Sequence, residues 1–255
     1  MKAGARRHFG EAMTFIIAEA GVNHNGDIGM AHMLVDTAKE AGADAIKFQM
    51  FDCDRLEPPG DRREMLRPLM LELDAWRGLK RHADQVGIAF VATPFDVLDL
   101  AFLIGLSPRA VKIGSGSLWD ADLLAAAGAT GRWVILSTGM ADFDAIERAL
   151  AHLGRDDVTL LHCTSSYPTA MEDVNLLAMV SMLERYAGNV GLSDHSLGIW
   201  VPIAARALGA LVIEKHLTLS RKMVGPDHVS SLTGAEFAEM VQGIRGIEKA
   251  LGNRD

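Results

Sequence analysis

Along the chain, short continuous apolar runs alternate with longer segments of helical periodicity. The runs are Thr14–Glu19, Asp44–Gln49, Ile88–Thr93, Ala110–Gly114, Trp133–Ser137, Val158–Cys163, Asn189–Ser193 and Ala210–His216. Most are aliphatic or β-branched with no strict in–out alternation, the pattern of parallel strands covered on both faces. Helices are predicted between them: one over Ile28–Ala41 closed by Gly42, one ending near Gly87, one from Asp96, and a last one over Gly234–Leu251. Eight β runs alternating with helices predict an α/β fold of the (β/α)8 TIM-barrel type. A doubly wound open sheet is the competitor, but fewer strands would suit it, and no GxGxxG fingerprint follows the first run. Residues 14–255 read as a single barrel behind an N-terminal tail, residues 1–13, with no linker or low-complexity tract.

Composition narrows the partners. A chain of 255 residues with 49% apolar and 23% charged residues can bury a large core. The formal charge of −8 argues against a nucleic-acid surface and leaves an anionic ligand dependent on a local cluster of donors. Two cysteines, Cys53 and Cys163, suggest no disulfide framework. The N-terminal segment lacks the apolar stretch of a signal peptide, and no run approaches membrane-spanning length. A cytoplasmic protein with no membrane partner is expected.

The candidate chemistry lies where the apolar runs stop. In a barrel, the C-terminal strand ends and the loops after them build the active site. Those ends supply Glu19 and Asn23, Lys47 and Gln49, Thr93, Lys112 and Ser115, Ser137, Thr164 and Tyr167, Ser193 and His195, and His216. Any one of these reads equally well as a cap or turn residue, but agreement across eight strands is hard to obtain that way. Lys47 and Lys112 sit inside buried strands, so each needs an anionic partner. That partner is either a carboxylate such as Glu19 or Glu214, or an anionic substrate held also by Thr93, Ser115, Ser137 and Ser193. The Gly-Ser-Gly-Ser and Ser-Thr-Gly-Met turns can bring backbone N–H groups to such a ligand.

His195 and His216 end successive strands, and parallel strand ends lie side by side, so the two imidazoles are expected to meet. One histidine alone is more often structural; two at matched ends favour a divalent-ion site with open positions. Imidazole with oxygen ligands suits Mn²⁺, Fe²⁺, Co²⁺ or Zn²⁺. His24, in the loop after the first strand, is a weaker candidate that equally shapes a turn.

The stretches IIAEAGVNHNGD, DAIKFQ, ATPFD, KIGSG, ILSTGM, LLHCTSSYPT, GLSDHSLG, VIEKHLTL and GPDH together closely resemble the sialic acid synthase family, from about Thr14 to Leu251. The resemblance implies a phosphoenolpyruvate-condensing barrel that joins its donor to an open-chain sugar aldehyde polarised by a divalent metal. Mn²⁺ ranks first, ahead of Mg²⁺, Co²⁺, Fe²⁺ and Zn²⁺. Lys47, Thr93, Lys112, Ser115, Ser137 and Ser193 match the family's donor-binding positions, and Ser165 stands where some members have Asn. His195 and His216 match its metal-binding histidines, and Glu19 the carboxylate near the reacting centre. Gln49, Tyr167 and Asp227 match groups that approach the sugar, with Asp227 placed beside Glu19 in the catalytic set.

Three departures concentrate on the acceptor side. The family's C-terminal antifreeze-like domain is expected to be missing, the segment after Gln49 is short, and Ser117 replaces the carboxylate of the usual Lys-Ile-Gly-Ser-Gly-Glu. A homo-oligomer, dimer or tetramer, is expected, with a partner subunit or a separate capping protein completing the pocket unless the acceptor differs. Synthesis of a shorter ulosonate and a non-catalytic ligand-binding barrel are the competing readings.

Overall fold

The structure, a computed structural model, describes residues 13–187 and 189–252. The tail expected over residues 1–13 lies outside the described residues except for Met13. Eight parallel strands close into a barrel: β1 (Phe15–Gly21), β2 (Ala45–Met50), β3 (Ala89–Pro94), β4 (Ala110–Ile113), β5 (Trp133–Ser137), β6 (Thr159–His162), β7 (Val190–Asp194) and β8 (Val212–Thr218). Each pairs with the next, and β8 pairs back onto β1 through Phe15↔Val212 to Glu19↔His216. The expected βα-barrel is therefore present, with strand ends within two residues of expectation. A short extra strand, β9 (Leu232–Thr233), extends β8 and was not foreseen.

Helices fill the connections: α1 (Ile28–Glu40), α2 (Cys53–Leu56), α3 (Asp61–Leu66), α4 (Leu73–Val86), α5 (Val97–Gly105), α6 (Ala121–Ala129), α7 (Phe143–Leu153), α8 (Leu176–Arg185), α9 (Trp200–Ala207) and α10 (Gly234–Leu251). Local chemistry sets their ends. Asp27, Asp96, Asp120 and Asp142 accept hydrogen bonds from first-turn amides of α1, α5, α6 and α7. Thr233 and Glu236 form a capping box at α10.

The segment after β2 is not a plain loop. It folds into α2, α3 and a 3₁₀ turn, Arg67–Leu69, around a small apolar cluster of Val22, Phe51, Cys53 and Leu69.

Two apolar layers position the site. Outward strand residues such as Ile16, Ala18, Ile46, Ala92 and Leu136 join the helices in the main core. Inward residues Phe15, Ile17, Ala45, Val91, Ala110, Trp133, Ile135, Leu161 and Val212 fill the barrel's lower half. Because side chains alternate with a period of two, the next inward positions on each strand are the polar ones. Gly191 lies on this inner wall, where a Cβ would meet the Val212 carbonyl oxygen at 2.2 Å. The backbones of β7 and β8 approach closely there only because that position has no side chain.

Candidate functional site

At the C-terminal mouth, a cavity of about 180 Å³ is lined by Glu19, Lys47, Gln49, Thr93, Lys112, Ser115, Ser137, Ser165, Tyr167, Ser193, His195 and His216. Of the other strand-end candidates, Asn23, His24 and Thr164 do not line it, and Asp227 lies just outside with its Oδ2 3.7 Å from His216 Nδ1. A larger cavity, about 660 Å³, sits near the opposite strand ends between α7 and α8, and none of the predicted residues lines it.

The lysines are held by carboxylates. Lys47 Nζ is 2.8 Å from Glu19 Oε2, 3.7 Å from Glu214 Oε2 and donates to Thr93 Oγ1 at 3.0 Å. Lys112 Nζ is 3.6 Å from Glu214 Oε1 and donates to Ser137 Oγ at 2.7 Å. Ser193 Oγ donates to Glu214 Oε1 at 2.9 Å, and the Gln49 amide to Glu19 Oε1 at 3.3 Å.

Burial pulls the Lys47 ammonium down, but Glu19 and Glu214 more than offset it and leave its pKa above the ordinary lysine value. Lys112 is pulled below the ordinary value, because burial and the nearby Lys47 outweigh Glu214. Glu214 stays well below the carboxylate range, since the two ammonium groups overcome its burial. The result is two ammonium groups and two carboxylates facing one cavity, with their hydrogen-bonding neighbours already arranged.

Around the far wall, Gly139 N donates to Ser115 Oγ at 3.0 Å, and Ser115 Oγ lies 3.1 Å from Cys163 Sγ. A Cβ at Gly139 would meet Ser165 Oγ at 2.4 Å and Ser115 Oγ at 2.9 Å, so three side chains converge on a bare backbone position. Hydroxyls beside an ammonium in such a place suit the oxygens of an anion.

The two histidines do meet, with ring centroids 5.6 Å apart. Tyr167 covers them, its ring 4.0 Å from that of His195 and 5.9 Å from that of His216. His195 Nδ1 is 2.8 Å from the Thr164 carbonyl oxygen, so Nδ1 carries the proton and the Nε2 lone pair is left for another partner. Burial, with His216 adding to it, pulls His195 down to about 3, which keeps the ring neutral. His216 Nδ1 is buried without a hydrogen-bond partner. The available lone pair of His195 and the orphaned ring nitrogen of His216 fit a divalent ion.

Other candidates resolve as structural. His24 accepts from Gly26 N at 3.0 Å and packs against Phe48, so it shapes its own turn. Asn23 joins β1 to the far loop by donating to the Leu217 carbonyl and to Ser231 Oγ. Asp52, Cys53 and Asp54 place ligand atoms within 4.8 Å of one another. Their oxygens are already occupied by the Asp54 amide and by Arg55, Arg63 and Arg67. That cluster is a helix cap covered by arginines.

Glu214, expected only as an ion-pair partner of the lysines, and Phe95 and Cys163, which were not expected, also line the cavity. Glu214 precedes His216 by two residues and Cys163 follows Leu161 by two, so strict period-two reading of each strand would have included both. Phe95 carried no such signal; it lies in a turn and also packs on the apolar cluster after β2.

Comparison with known proteins shows the family of the chain. An uncharacterized protein of Methanocaldococcus jannaschii is 47% identical over 244 residues, covering 94% of this chain and 72% of its own. N,N'-diacetyllegionaminic acid synthase of Campylobacter jejuni is 41% identical over 260 residues, covering 94% and 78%. The crystal structure of the N-acetylneuraminic acid synthetase of Leptospira borgpetersenii superposes with a TM-score of 0.92 at 38% identity, covering 95% of this chain and 86% of that one. Residues 34–255 match the NeuB family, and the chain belongs to it.

Proposed function

We propose that this protein condenses phosphoenolpyruvate with an open-chain, N-acetylated sugar aldehyde to give a sialic-acid-like nonulosonate and inorganic phosphate. The observation that carries this reading is the convergence of Lys47, Lys112 and five serine or threonine hydroxyls on the cavity that also holds His195 and His216. The two ammonium groups and the hydroxyls of Thr93, Ser115, Ser137, Ser165 and Ser193 hold the carboxylate and phosphate of the donor and fix its C3 toward the histidines. His195 and His216 would hold a divalent ion, which would supply electrophilic polarisation of the aldehyde.

The C2=C3 electrons of the donor form the new bond to the aldehyde carbon, and the aldehyde oxygen takes up a proton to become a hydroxyl. Water then adds at C2, with Glu19 accepting its proton, and the C2–O bond breaks to leave a ketone and phosphate. Of the two protons of that water, one ends on the new hydroxyl and the other on phosphate. Gln49, through its amide to Glu19, and Tyr167, over the imidazoles, bound the space the aldehyde enters.

The acceptor side is sparsely furnished. Ser117 does not line the cavity, and its polar lining belongs mainly to the donor and the histidines. Either the acceptor differs from N-acetylmannosamine, or a second subunit or a separate protein completes the sugar pocket, and this chain by itself handles N-acetylmannosamine poorly. A phosphate-release assay with phosphoenolpyruvate and a panel of aldoses and N-acetylated sugars, with and without a supplied antifreeze-like domain, tests this. Release that depends on an aldehyde supports the reading. Tight donor binding with no release for any aldehyde overturns it, and efficient N-acetylneuraminate formation by the chain alone overturns the statement about the pocket.

A further inference from the structure

The residues that immediately precede the two histidines form a buried ion pair of their own. Asp194 and Lys215 are register partners in the β7–β8 ladder, so Asp194–His195 and Lys215–His216 are parallel dipeptides on adjacent strands. Alternation sends the histidines into the barrel and Asp194 and Lys215 outward. There Lys215 Nζ lies 2.5 Å from Asp194 Oδ2, with side-chain exposures of 0% and 2%. The same ammonium donates to the Ser196 carbonyl, and Asp194 Oδ1 accepts from Ser196 N at 3.0 Å. Lys215 therefore grips the chain on both sides of His195. Thr169 N donates to the His195 carbonyl at 2.9 Å from the other direction.

Elsewhere the strand positions facing the helices are apolar, as at Ala18, Ile46, Ala92, Leu136 and Ile213, except His162 on β6, a single ring bonded to the Val174 carbonyl. Removing two charges from water costs several kcal/mol each, and an apolar pair of similar volume serves stability as well or better. Stability thus gives no reason for an ion pair at this strand pair. What the pair does supply is a directional hold on the backbone at both sides of His195, beyond the end of the β7–β8 ladder, which an apolar contact lacks.

We propose that Asp194 and Lys215 are positioning residues that set the spacing of the His195 and His216 imidazoles for a shared divalent ion. The inference rests on the reading of those histidines as an ion site.

The test uses the full chain, Mn²⁺ binding followed by electron paramagnetic resonance of the free ion, phosphoenolpyruvate binding by calorimetry, and thermal unfolding. In the double variant Asp194→Leu with Lys215→Met no buried charge is left unpaired, so it is expected to fold, with a Tm lowered only by the Ser196 N–H and carbonyl that lose their partners. Its Mn²⁺ Kd is expected to rise about 10- to 100-fold, with the phosphoenolpyruvate Kd held to the wild-type value. A folded double variant with wild-type Mn²⁺ affinity overturns the proposal, as does a parallel loss of both affinities, which marks a merely structural pair. If the double variant does not fold, Asp194→Asn, which keeps acceptors for Lys215 and Ser196 N, decides by the same split: present, it supports; absent, it overturns. Wild-type protein that binds no Mn²⁺ refutes the ion site itself, an outcome distinct from the others.

Discussion

Glu19 and Lys47 stand opposite each other in the β1–β2 register, Oε2 to Nζ 2.8 Å, with both side chains almost sealed from water. A carboxylate this close to the ammonium proposed to bind the donor competes with any anion for it, so under that proposal its presence serves the reaction. Glu19→Gln is accordingly expected to lower turnover by about 10²- to 10⁴-fold while leaving phosphoenolpyruvate affinity unchanged or tighter. Phosphate release and calorimetry on the same preparation check the two halves. Donor affinity that falls with turnover would assign Glu19 to orienting Lys47 instead.

Lys112 offers a cleaner measure of the donor site, because Glu214 keeps Lys47 and Ser193 as partners when Lys112 is removed. One charge-assisted contact is worth on the order of 1.5–3 kcal/mol, or roughly ten- to a hundredfold in affinity. Lys112→Met is expected to weaken phosphoenolpyruvate binding by about that factor. Unchanged binding would make Lys112 a structural partner of Glu214.

The histidines should be separable from the fold. Each lies at the solvent end of its strand, above the inner apolar layer, so His195→Ala and His216→Ala are expected to unfold near the wild-type temperature. Both variants, and wild-type protein treated with a strong chelator, should lose aldehyde-dependent phosphate release. Full activity in the chelator would remove the metal from the reaction.

His24 gives a pH signature of stability. Burial pulls its pKa from 6.5 to about 4, with Asp27 only partly opposing it. The folded state thus resists protonation that the unfolded chain accepts. Its contribution is complete above pH 6.5 and is lost as pH falls toward 4, at up to about 1.4 kcal/mol per pH unit and about 3 kcal/mol in all. His24→Asn keeps an acceptor for Gly26 N and removes the titration. Urea unfolding of both proteins from pH 7 to 4.5 should show the wild type losing stability faster; parallel curves would contradict this.

The sequence by itself determined the barrel and the ring of chemistry at its mouth. Continuous apolar runs such as Trp133–Ser137 can only be strands covered on both faces, and each turns polar at the end where a barrel collects its functional groups. His195 and His216 were legible as a pair because parallel register converts equal strand positions into spatial neighbours.

What only the tertiary structure decided is which charge answers which. Glu214 lies between Lys47 and Lys112 because barrel closure brings β8, β2 and β4 within reach of one another, a relation that no local pattern encodes. The Asp194–Lys215 pair, the helices after β2 and the diversion of His24 into its own turn have the same origin. Periodicity assigns a side chain to a face, which follows from backbone geometry alone. The partner it finds there depends on distances across the closed barrel, and those exist only once all eight strands are in place.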